Sequence, residues 1–401
     1  DPIENIVVCD EDIINPIVFT TENTGGVTTY SWTNDNTSIS LASSGNGTIQ
    51  GFTATNSSNT TQIATITVTP TFESGGVSNT GPSETFTITV NPTAQVDSVV
   101  DQVLCNGEST DAIEFTTTNT DGTTVFNWTN DNTNIGLAAT GTGDIASFAV
   151  TAGAVSETST IVVTPTYTNN GISCDGPSET FTITVNPTAQ VNSISGQILC
   201  EGESTDAIEF TTTNTDGTTV FNWTNDNTNI GLAATGTGDI ASFAVTAGAV
   251  SETSTIVVTP TYTNNGISCD GPSETFTITV NPTAQVNSIS GQILCEGEST
   301  DAIEFTTTNT DGTTVFNWTN DNTTTGLSSS GTGNIPSFTA TNSFNNELIS
   351  TIVVTPTYTN NGVSCDGPSE TFTITVNPTA QVDAVVDQVL CNGESTDAIE
   401  F

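Results

Sequence analysis

The chain has 401 residues, with 44 Asp or Glu and no Lys, Arg, His or Met, so its formal charge is −44 with nothing to offset it. Without cations it cannot neutralise phosphates or cling to an anionic bilayer, which excludes nucleic-acid binding and polybasic membrane attachment on electrostatic grounds. A Ser-His-Asp triad, a Cys-His pair, a phosphate-loop lysine, a Schiff base and a His-ligated metal each need a residue type that is missing, and no apolar run approaches the roughly 18 residues of a membrane-spanning helix.

Hydrophobic residues make up 33% of the chain, and the remainder is rich in Thr, Asn, Ser and Gly. Strong helix formers are scarce, whereas Thr, Val, Ile and Phe favour strands, so the expectation is an all-β protein. The sequence starts at Asp1 with neither Met nor a signal peptide and reads as a mature or excised product. Asn-Pro-Thr-Ala-Gln-Val recurs from Asn91, Asn186, Asn281 and Asn377, a period of 95, 95 and 96 residues. Residues Gly107 to Thr228 return unchanged as Gly202 to Thr323. A unit of this length is too long for a solenoid repeat of about 20–50 residues and suits one β-sandwich of about 100. The expected repeats are 1–92, 93–187, 188–282 and 283–378, and 379–401 opens a fifth unit with its first two strands.

Period-two alternation in the second repeat predicts a first strand over about Gln95–Leu104 and a second over Ala112–Thr117, with Ile113 and Phe115 on one face. A third follows at Thr123–Thr129, where Phe126 and Trp128 share a face. Short strands near Gly136–Ala139 and Ala146–Thr151 lead to a long one at Ser159–Thr168. The last is Glu179–Asn186, with Phe181, Ile183 and Val185 inward. That makes seven strands, and Trp32, Trp128, Trp223 and Trp318 are the expected core plugs of the four sandwiches.

Phe-Asn-Trp-Thr-Asn-Asp-Asn-Thr at 126–133, Gly-Thr-Gly at 141–143, Ile-Val-Val-Thr-Pro-Thr-Tyr at 161–167 and Thr-Phe-Thr-Ile-Thr-Val-Asn-Pro at 180–187 form a pattern present in all four units. It resembles the PKD-like, immunoglobulin-type repeats of very large bacterial surface proteins, similar to the adhesins of gliding bacteria that use a type IX secretion system. The resemblance implies an extracellular chain at the bacterial cell surface: an extended array of Ig-like sandwiches serving as stalk or filament, not an enzyme.

The eight cysteines, at 9, 105, 174, 200, 269, 295, 365 and 391, fall at the end of the first strand and the start of the last in each unit, except that the first unit has Asn79 at its second position. Such regularity in an extracellular chain argues for disulfides. In a seven-stranded antiparallel sandwich the first and last strands run the same way, so these two positions lie at opposite ends, roughly 30 Å apart at about 3.3 Å per residue. A disulfide spans less than about 7 Å between Cα atoms. Bonds between successive repeats follow: Cys9–Cys174, Cys105–Cys269 and Cys200–Cys365, leaving Cys295 and Cys391 for further repeats. Together with the linker proline, which restricts the backbone, they would clamp the units into a rod.

The remaining chemistry belongs to carboxylates. A glycosidase pair needs a cleft, which short sandwich loops do not offer. Calcium takes oxygen ligands, and Asp131, Asp144 and Asp175, all expected in turns, are the candidates for it against a plain solvated acidic surface. Asn-x-Ser/Thr sequons, as at Asn36 and Asn127, are frequent in so Asn- and Thr-rich a chain, and Asp97-Ser98-Val99 resembles a short bacterial O-glycosylation signal. Three functions compete. The first is a structural adhesive stalk whose partners are neighbouring repeats, further copies and a surface or glycan target. The second is an array of carbohydrate- or calcium-binding modules. The third is a filament subunit assembled by strand exchange through 387–401.

Overall fold

The computed structural model describes residues 1–401 and is all-β: apart from four single-turn 3-10 helices, every regular element is a strand. The chain divides into two compact units, one of residues 1–190, 212–219 and 261–271, the other of 191–211, 220–260 and 272–401. The division therefore cuts through the third repeat.

In the first unit, the second repeat shows how the sequence makes the sheet. Its strands are Gln102–Cys105, Thr123–Asn130, Thr140–Thr142, Glu157–Asn169, Ile172–Asp175 and Glu179–Asn186. The opening strand pairs in parallel with the closing one, Ile183 facing Gln102 and Asn186 facing Cys105. The closing strand pairs with the long strand, the long strand with Thr123–Asn130, and that strand with Thr140–Thr142. Alternation is strict along the long strand, where Ser159, Ile161, Val163, Pro165 and Tyr167 are buried between outward Thr160, Val162, Thr164 and Thr166. Pro165 has no N–H to give. It faces Phe126 on one flank, and on the other it falls in the gap where the ladder to the closing strand ends at Val163 and the ladder to Ile172–Asp175 begins at Thr166.

The opposite layer differs from expectation. Segments 112–117 and 146–151 form no continuous ladder; residues 107–113 meet 145–150 through isolated bridges, Ile113 to Ile145 and Ser109 to Ala149, and backbone hydrogen bonds such as those from Gly107 to Val150 and from Thr110 to Phe148. Side chains take up the backbone donors that a ladder would use: Asp144 accepts the Phe115 N–H at 2.9 Å, Thr110 Oγ1 the Phe148 N–H at 3.2 Å and Gln102 Oε1 the Asp111 N–H at 3.0 Å, a local competition typical of these residue types. The first strand has four residues, Gln102–Cys105; ahead of it Gln95 gives its N–H to Asn119 Oδ1 and Asp97 to the Thr116 carbonyl. Where a strand was expected at Gly136–Ala139, Asn132 caps a 3-10 turn over Thr133–Ile135 that ends on Gly136 at φ 97°, and the strand starts at Thr140. The core still closes between the layers, with Ile113, Phe115, Ile135 and Ile145 packed on Trp128, Ile161, Val163 and Phe181.

Trp32, Trp128, Trp223 and Trp318 are all 6–7% exposed. Each indole lies over a glycine of the neighbouring short strand, Gly141 for Trp128, where a Cβ would run into the ring. The first repeat has the same sheet order and adds a small sheet of Ile13–Ile14 with Phe52–Thr53.

In the second unit the fourth repeat has this same order, around a core that includes Phe305, Phe316, Trp318 and Phe372. Residues 379–401 carry no strand, contrary to the two strands expected there. The opening strand of a repeat pairs only with its own closing strand, and these residues include none.

Candidate functional site: the junctions between repeats

Each junction is built by three pieces of the earlier repeat and two of the later one, a hairpin and the turn before its second strand, which carries Asp121 in the second repeat. The hairpin joins the long strand to Ile172–Asp175 across Asn170 (φ 50°) and Gly171 (φ 77°), a two-residue turn with both residues left-handed, as the type I′ geometry requires. It carries Cys174. The opening strand of the first repeat, Ile6–Cys9, runs parallel to its closing strand and ends where that strand ends, at Asn91. Cys9 is thus delivered to Cys174, with a Cα–Cα distance of 5.6 Å. Cys105 bonds Cys269 and Cys200 bonds Cys365, each also at 5.6 Å. Cys295 and Cys391 are free and exposed.

Beside each disulfide sits a polar hub whose asparagine and tyrosine are buried, whose hydroxyl residue is half-buried and whose aspartate is exposed. Asn91, with no exposed surface, donates through Nδ2 to the carbonyls of Asn169 (3.0 Å) and Ile172 (3.3 Å) at the two sides of the hairpin turn. Tyr167, also fully buried, donates through Oη to Asp121 Oδ1 at 2.7 Å and lies 3.1 Å from Thr61 Oγ1. Asp121 Oδ2 accepts the Thr61 backbone N–H at 3.0 Å. The tyrosine ring packs over Gly122, where a Cβ would meet it. The next hub repeats the pattern with Asn186, Ser156, Asp216, Tyr262 and Asn264: Tyr262 Oη donates to Asp216 at 2.7 Å, and Asp216 takes the Ser156 N–H at 2.7 Å. Segments 212–219 and 261–271 of the third repeat belong to the first unit because they carry this hub and Cys269. In the second unit Asn281, Ser251, Asp311 and Tyr358 form the third, with Tyr358 Oη 2.6 Å from Asp311.

The hub shapes its own acidity. Burial, reinforced by the hydrogen bond to the aspartate, holds the phenols of Tyr167, Tyr262 and Tyr358 above 10.0. Burial alone would raise Asp216 and Asp311, but the hydrogen bonds from the tyrosine hydroxyl and the serine N–H outweigh it and leave both below 3.8. A neutral phenol donating to a charged carboxylate is therefore the resting state, a charge-assisted bond of the stronger kind.

The first repeat has only the giving half. It supplies Cys9, Thr61 and Asn91, but at the receiving positions it has Asn79 for Cys174, Phe72 for Tyr167 and Gly25 for Asp121. The carboxylates singled out for calcium are not brought together. Asp131 accepts from the Thr160 N–H (2.7 Å), Asp144 from Phe115 and Asp175 from Thr166 Oγ1 (2.7 Å), and no group of three His, Cys, Asp or Glu side chains converges on a common point. Sequence reasoning missed the hairpin and the Tyr–Asp hub. The Asn170-Gly171 dipeptide was the available signal for the first; the second had none, because its members lie 46 and 60 residues apart.

No family model and no curated protein matches the chain. Among solved structures it aligns with Drosophila N-cadherin EC1-4 (12% identity, 94% of this chain and 99% of that one, TM-score 0.31) and with mouse cadherin-23 EC22-24 (9%, 72% and 99%, TM-score 0.36). It also aligns with Sidekick-1 immunoglobulin domains 1-4 (9%, 95% and 97%, TM-score 0.25).

Proposed function

We propose that the chain is a structural repeat region of an extracellular bacterial adhesin or surface filament, a stiff acidic stalk that carries load and performs no catalysis. The observation that supports this reading is the junction: every repeat after the first is bound to its predecessor by a disulfide and by a hub of five polar side chains. Disulfides belong to oxidising compartments outside the cytosol. A surface with no cation and about eleven carboxylates per repeat keeps copies apart and soluble, offers trypsin no cleavage site, and leaves cohesion to cores, hydrogen bonds and disulfides. Attachment to a surface, and gliding on it, belong to the same reading.

Non-reducing peptide mapping with an Asp- or Glu-specific protease tests it. The expected cross-linked peptides join Cys9 to Cys174, Cys105 to Cys269 and Cys200 to Cys365. A peptide joining Cys105 to Cys174 would place the bonds inside repeats and remove the clamp on which the reading rests.

A further inference from the structure

The three junction hairpins share an Asn-Gly tip. Asn170-Gly171, Asn265-Gly266 and Asn361-Gly362 are exposed, and both residues of each are left-handed, at φ 50° and 77°, 48° and 76°, and 50° and 79°. The ladder beneath the first tip closes on Asn169 with Ile172, so the N–H of Gly171 lies outside it. No atom comes within 4 Å of where a Cβ on Gly171, Gly266 or Gly362 would stand. The tip peptide therefore has room to turn over.

Turning it over exchanges one hairpin turn for another. Types I′ and II′ both fit a two-residue hairpin, so the strands and their closing pair stay in place. In type I′ the asparagine ψ is about +30°, which puts the glycine nitrogen on the far side of the Cα–C bond from the asparagine side chain. In type II′ that ψ is about −120°, and the nitrogen swings round to eclipse Cβ and lie alongside Cγ. Glycine takes the new φ without cost. Asparagine does not, since type II′ prefers glycine at its position, so the reactive form is a brief excursion.

Two other Asn-Gly pairs are held differently. Gly47 gives its N–H to the Tyr30 carbonyl at 2.8 Å and Gly107 to the Val150 carbonyl at 2.9 Å, so neither peptide turns without breaking a hydrogen bond. The first repeat has the same hairpin tip built from Gly75 and Gly76, at φ 61° and 81°, with no side-chain amide to react.

We propose that Asn170, Asn265 and Asn361 are sites of spontaneous deamidation that loosen the junctions. After the flip the Gly171 nitrogen, its proton lost to hydroxide, bonds to Asn170 Cγ. The Cγ–Nδ2 bond breaks, and the Nδ2 group takes a proton from water and leaves as ammonia. Water then opens the five-membered imide at either carbonyl, giving aspartate or isoaspartate; nothing is oxidised or reduced. In isoaspartate the backbone runs through Cβ and Cγ and is one atom longer. That longer tip lies between two carbonyls clamped by a buried asparagine of the preceding repeat. Asn91 holds those of Asn169 and Ile172, Asn186 those of Asn264 (2.8 Å) and Ile267 (3.3 Å), and Asn281 those of Asn360 (2.9 Å) and Val363 (3.2 Å). Spreading the carbonyls weakens the clamp, and each event adds a negative charge to a chain with no Lys or Arg. The chemistry follows from the hairpin alone and stands whether or not the chain is a stalk.

The test holds the full oxidised chain at mildly alkaline pH for increasing times, then reduces it, cuts it at glutamate and follows the exchange of NH2 for OH by peptide mass. Asn170 and Asn265 fall in identical peptides and are read together, and Asn361 is read alone. The expected rate at the tips is about ten-fold or more above that at Asn46 and Asn106, which must first give up a hydrogen bond. Protection of the Ser156 amide, which Asp216 accepts at 2.7 Å, should fall as the tips convert. In Asn265→Gly, which gives that hairpin the Gly-Gly tip of the first repeat, it should persist. Tips that react no faster than Asn46 and Asn106 overturn the site assignment, and that comparison needs only the parent chain should the variant fail to fold. Ser156 protection that survives conversion in the parent, or falls equally in Asn265→Gly, overturns the link to the junction.

Discussion

Under tension the disulfides decide which residues carry the load. A chain pulled from its two ends transmits force along its shortest covalent path, which runs from Asp1 to Cys9, across to Cys174, along to Cys200, across to Cys365 and out to Phe401. Only roughly 70 of the 401 residues lie on that path, so even with every repeat unfolded the oxidised chain reaches about 250 Å at about 3.5 Å per residue. Full reduction frees the whole chain and raises the limit to about 1,400 Å. Cys105–Cys269 lies off the shortest path, so Cys105→Ser leaves the oxidised limit where it was. Cys9→Ser reroutes the load through Cys105 and Cys269 and raises the limit to about 740 Å. Single-molecule pulling between terminal tags, with and without reductant, reads these plateaus directly. Three bonds inside the repeats would instead give about 700 Å in the oxidised parent chain, and a plateau there, or an effect of Cys105→Ser, would refute the reasoning.

Thiol labelling of the folded oxidised chain should modify two cysteines, Cys295 and Cys391, and counting adducts by intact mass checks it. Gly141→Val pushes a side chain into the Trp128 indole and should destabilise the second repeat by about 1–3 kcal/mol, seen as a lower denaturation midpoint with a changed tryptophan signal. Tyr262→Phe removes the donor to Asp216 and should cost about 1–3 kcal/mol at that junction, measurable as faster amide exchange at Ser156 with the core amides unaffected. The hubs also set a pH window. Asp216 and Asp311 sit below 3.8 in the fold, so their contribution is present above that pH and is lost as pH falls through the depressed values. The phenols sit above 10.0, so their contribution is present below pH 10 and disappears as pH rises through the raised values. Protection of the Ser156 and Ser251 amides, measured relative to their intrinsic exchange rates, should be greatest between these limits, and protection that does not change across either limit would contradict the hub.

How much could be read in advance depends on which interactions a residue makes. Thr123–Asn130, the long strand and Glu179–Asn186 were legible because burial on one face imposes a period of two, and Phe126, Trp128, Ile161, Val163 and Phe181 display it. The segment around Ile113 and Phe115 shows the same alternation, yet only Ile113 gives its N–H to a backbone carbonyl across the layer, while Phe115 gives its own to the Asp144 side chain. Alternation reports which face is buried, and it is silent on what satisfies the backbone. Gly141 illustrates the complementary gap: it looks like a turn residue in Gly-Thr-Gly, but it lies in a strand opposite Trp128, where the indole needs the missing Cβ.

The junction divides along the same line. A cysteine is visible in the sequence because its chemistry is rare, and parallel pairing of the opening and closing strands sets Cys105 beside Asn186 and far from Cys174. Tyr167, Asp121 and Thr61 are common residue types whose meaning exists only once two repeats meet. The first repeat makes that meaning readable. Three residues distant in sequence, Gly25, Phe72 and Asn79, depart together from the later pattern of Asp, Tyr and Cys, and all three map to the receiving side of the junction, while Cys9, Thr61 and Asn91 on the giving side follow it. Independent drift has no reason to select one face. A receiving face that meets no partner of this kind would gain nothing from a buried-type tyrosine, a carboxylate or an exposed thiol.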